Sequence, residues 1–526
     1  MTAPTALRTF LALGTAAGIL VAASATGVHA QAEHPGKATY DRWCLECHGA
    51  EGRGDGSAAA TMLPRPRDFT QARYQIRTTA SGALPTDADL ERVLERGMPG
   101  TAMPAWPRLS TRQSTDVIAY IKTFSPFFES EGTPAPLELG SAPRASDERV
   151  AEGRRIYDQL ECWKCHGAQG RGDGTSAPTQ EDDNGHPIRP ANLAQNWHFN
   201  GGGTVEDIYA RLRTGLDGTP MPSFSDMIES NLLTEDQLWN LALFVRSLSP
   251  EKAPRAAEVI RVRLTSEALP ETPDDSAWAR VEPAWIPLVG QIIARPRWFA
   301  PTVTGVWVQG LHNDREIALR LAWDDPSRSP DPAWDEWRAA ITAAMEPDDG
   351  PPASGGLPDA FAVQFVPGTD AGRDLPYFLN GDARSPVYLW SWNSTDGVRE
   401  ERARGITSRE PLQPDAAALH AQAAFADGRW TLVLRRAVTA QDTVARASFP
   451  PAQPLPVAFF AWDGSSGEAA TRGAISSWYY LHLEQPVTAA VYLTPVIAAA
   501  LAAVIGILLV MRAQRQHQRG RTTDHA

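Results

Sequence analysis

The chain has 526 residues, room for three or more domains at about 100–200 residues each, and a formal net charge of −13. That balance argues against nucleic acid as a partner and leaves an acidic surface, either simply solvated or able to steer toward a basic protein. All four cysteines fall in two short motifs, so no thiol remains for a disulfide framework, and the compartment has to be read from targeting segments.

Residues 1–30 read as an export signal. Arg8 supplies the positive start, Phe10 to Val21 is apolar, and Val28-His29-Ala30 ends in the small-residue pattern of a cleavage site. An uncleaved anchor is the competing reading.

A first unit is expected over residues 31–128. A helix from Ala38 to Trp43 delivers Cys44-Leu45-Glu46-Cys47-His48, a C-x-x-C-H run in which two thiols can add to the vinyl groups of a haem while the adjacent imidazole binds its iron. Helical spacing recurs over Thr86 to Arg96 and Ser114 to Thr123. Between them lies Gly100-Thr101-Ala102-Met103-Pro104. Its thioether is a soft, uncharged second axial ligand, and His/Met ligation raises a reduction potential relative to bis-His. The run Pro64 to Thr70 resembles a loop that folds over the haem edge in a subset of bacterial cytochromes c.

Residues 129–146 read as a linker rich in Pro, Ala and Ser. A second unit follows over 147–250, with helices expected at Glu148 to Leu160, Val205 to Thr214 and Glu235 to Ser247. It repeats the first at an offset of 118 positions (44 to 162). Cys162-Trp163-Lys164-Cys165-His166 echoes the first motif, Gly167 to Gly174 echoes Gly49 to Gly56, and Gly218 to Pro222 echoes Gly100 to Pro104. Met103 and Met221 each stand 55 positions beyond their motif histidine (48 to 103, 166 to 221), which ranks Met103 above the nearby Met98.

A four-thiolate zinc site would bring its pairs within about 15–20 residues and has no use for the two histidines. A structural disulfide or a redox dithiol explains neither the histidines nor the methionines. The expectation is therefore two all-α cytochrome c domains. Each would hold one haem c, on Cys44 and Cys47 with axial His48 and Met103, and on Cys162 and Cys165 with axial His166 and Met221. His186 and His198, in the second unit's long middle loop, are alternative ligands that a registered Met221 makes unnecessary.

Beyond residue 258 alternating apolar runs dominate: Val303 to Gln309, Ile317 to Trp323, Ala360 to Val366, Val387 to Trp392, Arg429 to Arg435, Pro456 to Trp462 and Ser477 to Leu483. Twelve of the seventeen tryptophans lie there, and an antiparallel all-β sandwich is expected over 258–485. Three stretches carry a resemblance: Glu316 to Pro326 (EIALRLAWDDP), Gly381-Asp382 with Pro386 to Trp392, and Phe459 to Gly464 (FFAWDG) followed by Arg472-Gly473. They make this region similar to the haem-binding gamma subunit of ethylbenzene dehydrogenase and related molybdoenzymes. The resemblance implies one haem b between an axial Met and an axial Lys, and docking to the iron–sulfur subunit of a molybdopterin oxidoreductase. This chain has Leu379-Asn380 where the Met is expected and Ala474-Ile475 where the Lys is expected. The expectation is a sandwich without haem b; His420 and His482 are the residual imidazoles.

Residues 487–511 are uncharged and mostly Ala, Val, Leu and Ile, long enough for a hydrocarbon core of about 30 Å. The tail, 512–526, carries Arg512, Arg515, Arg519 and Arg521, so it should face the cytoplasm. Pro495 is tolerable near the outer end of such a helix. Together these features imply a single-pass protein of the inner membrane with its haem domains in the periplasm. It would relay electrons between a redox partner protein and respiratory carriers rather than act as a catalyst. The competing classes are a di-haem peroxidase, which needs one iron with a releasable ligand position, and a ligand-binding sandwich coupled to haem electron transfer.

Overall fold

The computed structural model describes residues 33–132, 134–313, 315–345, 356–368, 375–414, 418–451, 453–486 and 489–523, with side chains in the last segment up to 516. The expected signal segment and the side chains of Arg519 and Arg521 lie outside the described residues.

Residues 34–249 form helices joined by long loops. The first unit contains α1 (Lys37–Trp43), α2 (Leu45–His48), α3 (Asp87–Arg96), α4 (Thr111–Lys122) and α5 (Phe127–Ser130). The second contains α6 (Asp147–Gln159), α7 (Trp163–His166), α8 (Val205–Thr214), α9 (Ser225–Glu229) and α10 (Glu235–Ser247). Full capping boxes open four of them in matching places: Thr86 with Asp89 on α3, Thr204 with Asp207 on α8, Ser110 with Gln113 on α4, and Thr234 with Gln237 on α10. Each satisfies two backbone donors that a helix start leaves open.

In the first unit the start of α1 meets α4, and in the second α6 meets α10, in backbone contact. A Cβ on Gly36 would fall 2.0 Å from Asp116 O, and one on Gly153 2.0 Å from Asn240 O, so only glycine fits either crossing. Below the crossing, Tyr40 donates to Gly49 O (2.7 Å) and Tyr157 to Gly167 O (2.6 Å), although Tyr157 stands one residue farther from its motif. The extra residue is absorbed by Glu161, which adopts the left-handed conformation (φ 56°).

The third region is one continuous sheet. Its strands are β1 (Val259–Leu264), β2 (Ala284–Pro287), β3 (Val289–Gly290), β4 (Gly305–His312), β5 (Glu316–Asp324), β6 (Ala360–Phe365), β7 (Val387–Asn393), β8 (Gly397–Ala403), β9 (Arg409–Pro411), β10 (His420–Ala426), β11 (Arg429–Ala437), β12 (Pro454–Trp462), β13 (Ala474–Ile475) and β14 (Tyr479–Leu483). The main order is β10-β11-β5-β4-β1-β14-β12-β6-β7-β8-β9. Strands far apart in that order nevertheless touch: Trp323 on β5 lies 4.7 Å from Phe361 on β6, and Trp392 on β7 lies 4.9 Å from Trp430 on β11. The sheet therefore folds over into two layers around one core that includes Leu319, Leu321, Leu432, Val363, Trp390 and Phe459.

Two expectations need correction. The sandwich is not wholly antiparallel, because β1 runs parallel to both β4 and β14 (Val262 opposite Gly310, Val259 opposite Tyr480). The region's first and last strands are neighbours running the same way, so the chain enters at one end of the sandwich and leaves at the other. Nor is the region all-β, since α11 (Asp335–Ala344) lies between β5 and β6 and buries Trp337, Ile341 and Thr342. After β14, α12 (Ala489–Thr523) continues well past Arg512; its residues 489–516 are long and apolar enough to cross a membrane and bury nothing within the chain.

Candidate haem-binding sites

In each unit the residues with haem chemistry converge on one core. Cys44 and Met103 pack against a cluster that includes Tyr40, Phe69, Leu94 and Ile118. Cys162 and Met221 pack against the equivalent cluster of Tyr157, Leu193, Leu212 and Leu238. The four thiols are free. Burial pushes those of Cys44 and Cys162 up to about 12 and raises that of Cys47.

Both motif histidines are held the same way. His48 Nδ1 bonds Arg67 O (3.0 Å) and His166 Nδ1 bonds Ala191 O (2.9 Å). A carbonyl can only accept, so each Nδ1 carries the hydrogen and each Nε2 keeps its lone pair for a metal. Burial lowers both imidazole pKa values, which favours the neutral, ligating form. The His48 ring is further stacked on Phe69 at 4.4 Å.

The methionine loops are copies at the level of single bonds. Thr101 Oγ1 donates to Met98 O (2.7 Å) and accepts from Met103 N (3.1 Å). Thr219 Oγ1 donates to Leu216 O (2.8 Å) and accepts from Met221 N (3.3 Å). Met98 thus occupies the place that Leu216 fills in the second unit, where an apolar side chain suffices. The thiol pairs, carbonyl-held imidazoles and registered thioethers together fit a covalently attached haem in each unit.

Sequence reasoning missed the groups that hold the histidines, although a signal existed. Arg65-Pro66-Arg67-Asp68-Phe69 recurs as Arg189-Pro190-Ala191-Asn192-Leu193. The recurrence begins 124 positions on (65 to 189) rather than 118, which hides it from a fixed offset. Its function is shared: Phe69 N donates to Gly52 O (2.7 Å) and Leu193 N to Gly170 O (2.5 Å), while Asp68 and Asn192 each accept from the backbone two residues ahead.

These same segments join the three regions. Arg77, fully buried, donates to Thr214 O (2.8 Å) and Asp217 Oδ1 (2.7 Å) in the second unit's methionine loop. Arg211 reaches back to Gln75 O (3.2 Å) and Arg77 O (2.5 Å). Toward the sandwich, Arg65 donates to Ala344 O at the end of α11, and Arg189 donates to Ser466 and lies 4.7 Å over the Trp337 ring. Asp324 Oδ2 accepts from Asn192 Nδ2 (2.8 Å) and Gln195 Nε2 (2.9 Å), and its Oδ1 lies 3.3 Å from both Arg171 Nε and Arg429 Nε. His186 pairs with Asp182 (3.5 Å) and His198 lies on a short turn beside Trp197, so each is engaged in its own loop.

In the sandwich, Leu379 and Ile475 are buried in one cluster with Phe460 and Trp462. The two positions expected to carry Met and Lys are thus brought together, but neither holds an iron-ligating atom, so the donor set does not fit a haem b there. Arg409 lies 4.9 Å over the Trp462 ring beside them. His420 is exposed at the start of β10, and His482 is half-buried on β14.

The cytochrome c family model matches residues 34–125 and 150–249. A Haloferax mediterranei protein named for a respiratory nitrate reductase heme subunit, ORF7, is 27% identical over 225 residues, covering 43% of this chain and 72% of its own length. The dimethylsulfide dehydrogenase subunit gamma of Rhodovulum sulfidophilum is 26% identical over 211 residues, covering 38% of this chain and 69% of its own. A chain from the solved Kuenenia stuttgartiensis reducing HAO-like complex Kustc0457/Kustc0458 is 44% identical, with a TM-score of 0.39, over 41% of this chain and 96% of that one. The chain thus carries cytochrome c segments, the family of c-type haem carriers, and is similar to a nitrate reductase heme subunit and to a dimethylsulfide dehydrogenase gamma subunit.

Proposed function

We propose that this chain is a membrane-anchored, two-haem electron relay serving a redox enzyme. Cys44, Cys47, His48 and Met103 would hold one haem c over residues 31–128, and Cys162, Cys165, His166 and Met221 the other over 147–250. When bound, haem c supplies a one-electron couple at its iron. The protein's own residues attach it, keep each imidazole oriented and neutral, exclude water from one side through the Tyr40 and Tyr157 cores, and raise the potential with a thioether.

The observation that carries this reading is that both units hold the motif histidine by Nδ1 against a backbone carbonyl, with the first thiol of each pair and the registered methionine on the same core. The units also abut through the segments that bear the ligands, with Arg77 bonding the loop of Met221. Electrons could then pass from one unit to the other without leaving the chain.

The relatives are named as subunits of multi-subunit redox enzymes, and by that analogy the partner here is the iron–sulfur subunit of such an enzyme. The apolar helix before Arg512 would tether the chain to the inner membrane with residues 31–485 in the periplasm. A pyridine haemochrome spectrum with intact mass tests the cofactor content: two covalent haems per chain and no extractable haem b are expected. One covalent haem, or one extractable haem b, would overturn it. Subunits copurifying in mild detergent test the partner, and a redox enzyme missing from them under every extraction would remove that part of the reading.

A further inference from the structure

Where the second haem unit meets the sandwich, four carboxylates are buried together. Asp325, the second aspartate of the AWDDP stretch, follows β5, Asp359 precedes β6, and Asp463 and Glu468 lie in the turn after β12; all are at most 1% exposed. One carboxylate oxygen from each of Asp325, Asp359 and Asp463 lies within 4.8 Å of those of the other two. The basic group beside them is Arg189, donated by the second unit.

Most of these oxygens are satisfied. Asp359 accepts from Ser329 N (2.7 Å), Trp430 Nε1 (3.0 Å) and Gly464 N (3.0 Å). Asp463 accepts from Ser465 N (2.8 Å), Thr302 Oγ1 (2.5 Å) and Ser466 Oγ (2.6 Å). Glu468 accepts from Trp298 Nε1 (2.8 Å), Thr302 N (2.9 Å) and Asp463 N (3.1 Å). Asp325 is the exception: its Oδ1 accepts from Ser327 N (3.2 Å), but its Oδ2, fully buried, has no hydrogen-bond partner.

A buried carboxylate oxygen facing two other carboxylates without a donor is a costly arrangement unless a proton or a cation stands between them. The neutral hydrogen-bonded frame around Asp359, Asp463 and Glu468 holds the carboxylates in place whether or not they are protonated. It leaves the centre short of positive charge.

We propose that Asp325, Asp359 and Asp463 form a structural site for a divalent cation of the calcium class, locking the second haem unit to the sandwich. The donors are all oxygen, with no His or Cys among them, which selects a hard cation over zinc or copper. Ser327 and Ser329, buried beside Asp325 with their hydroxyls 3.0 Å apart, offer further neutral oxygens. Calcium accepts irregular shells of six to eight oxygens, whereas magnesium demands near-ideal octahedra. The neighbouring residue Asp324 holds Asn192 and Gln195, and Arg189 bridges to Ser466, so a cation here would stiffen the segment whose Ala191 carbonyl orients His166.

The test uses full-length holoprotein in mild detergent, stripped with chelator and refilled with calcium alone, magnesium alone or neither. Expected are one calcium per chain after gel filtration and a rise in melting temperature with calcium that chelator reverses and magnesium does not reproduce. Asp325→Asn should abolish that rise, yet melt no lower than stripped wild type, because the amide removes a like charge; this separates loss of the site from failure to fold. Less than about a tenth of a calcium per chain with no calcium-dependent melt, or a full calcium response in Asp325→Asn, would overturn the proposal.

Discussion

At the scale of single residues, the two C-x-x-C-H units differ less in their proposed ligands than in what stands behind them. His48 leans on Arg67 O within a loop that packs against the second unit, while His166 leans on Ala191 O within a loop pinned to Asp324 of the sandwich. Asp324→Ala should therefore shift the midpoint potential of the second haem and leave the first in place, in a redox titration followed by absorbance. Equal shifts in both would mean that Asp324 acts only through overall stability. Register alone points to Met103, and the equivalence of Met98 with Leu216 supports the same choice. Met103→Ala and Met221→Ala should each remove the methionine-to-iron charge-transfer band at the red end of the visible spectrum for one haem, and Met98→Ala should keep both. The carbonyls that hold the histidines were not legible, because a backbone group leaves no letter of its own; only the Arg-Pro recurrence marks where they lie.

At the scale of elements, the six longer helices of the first two units could be placed to within about three residues, helped by the side-chain caps that open five of them. In the sandwich, the strands of the central layers were legible from their apolar runs, but β1 and α11 were not. The pattern Val-Ile-Arg-Val-Arg-Leu buries Ile260 and Val262 and exposes both arginines, a strict but short alternation whose partners, β4 and β14, are far along the chain. Helix α11 is short and sits among strands, and its buried tryptophan faces another region rather than the sandwich core. Its cluster takes Leu63 from the first unit, Ala177 from the second, and Trp298, Trp334, Trp337 and Ile341 from the sandwich side. With Arg65 bonding its last turn and Arg189 lying over Trp337, α11 is the element on which all three regions meet. Trp337→Ala should cost about 3–5 kcal/mol by the usual scale for a buried aromatic. Limited proteolysis should then cut between residues 250 and 258 faster than in the wild type. An unchanged cleavage rate would show that the polar contacts alone hold the regions together.

The topology of the sandwich sets which of its ends meets the first two units and which end α12 leaves. Asp324, the turn after Ala426 and the Asn393–Gly397 turn all lie at the end where β1 begins, which is the end that meets the haem units. His312, bonded through Nε2 to Glu484 O (2.9 Å), marks the opposite end, from which α12 leaves. β5 alone has nine residues, about 30 Å at roughly 3.3 Å per residue. If α12 sits in a bilayer, the haem units stand about a strand's length above its surface, where a partner subunit can reach them. Removal of residues 487–526 should accordingly release a soluble red protein with both haems. A finer test places a spin label at Arg315→Cys, in the turn beside His312, or at Thr395→Cys, at the haem-bearing end. In proteoliposomes carrying nickel-chelating headgroups, relaxation by nickel should be strong at the first position and weak at the second. Equal relaxation at both would mean that the sandwich lies flat on the membrane and that its parallel first and last strands do not act as a spacer.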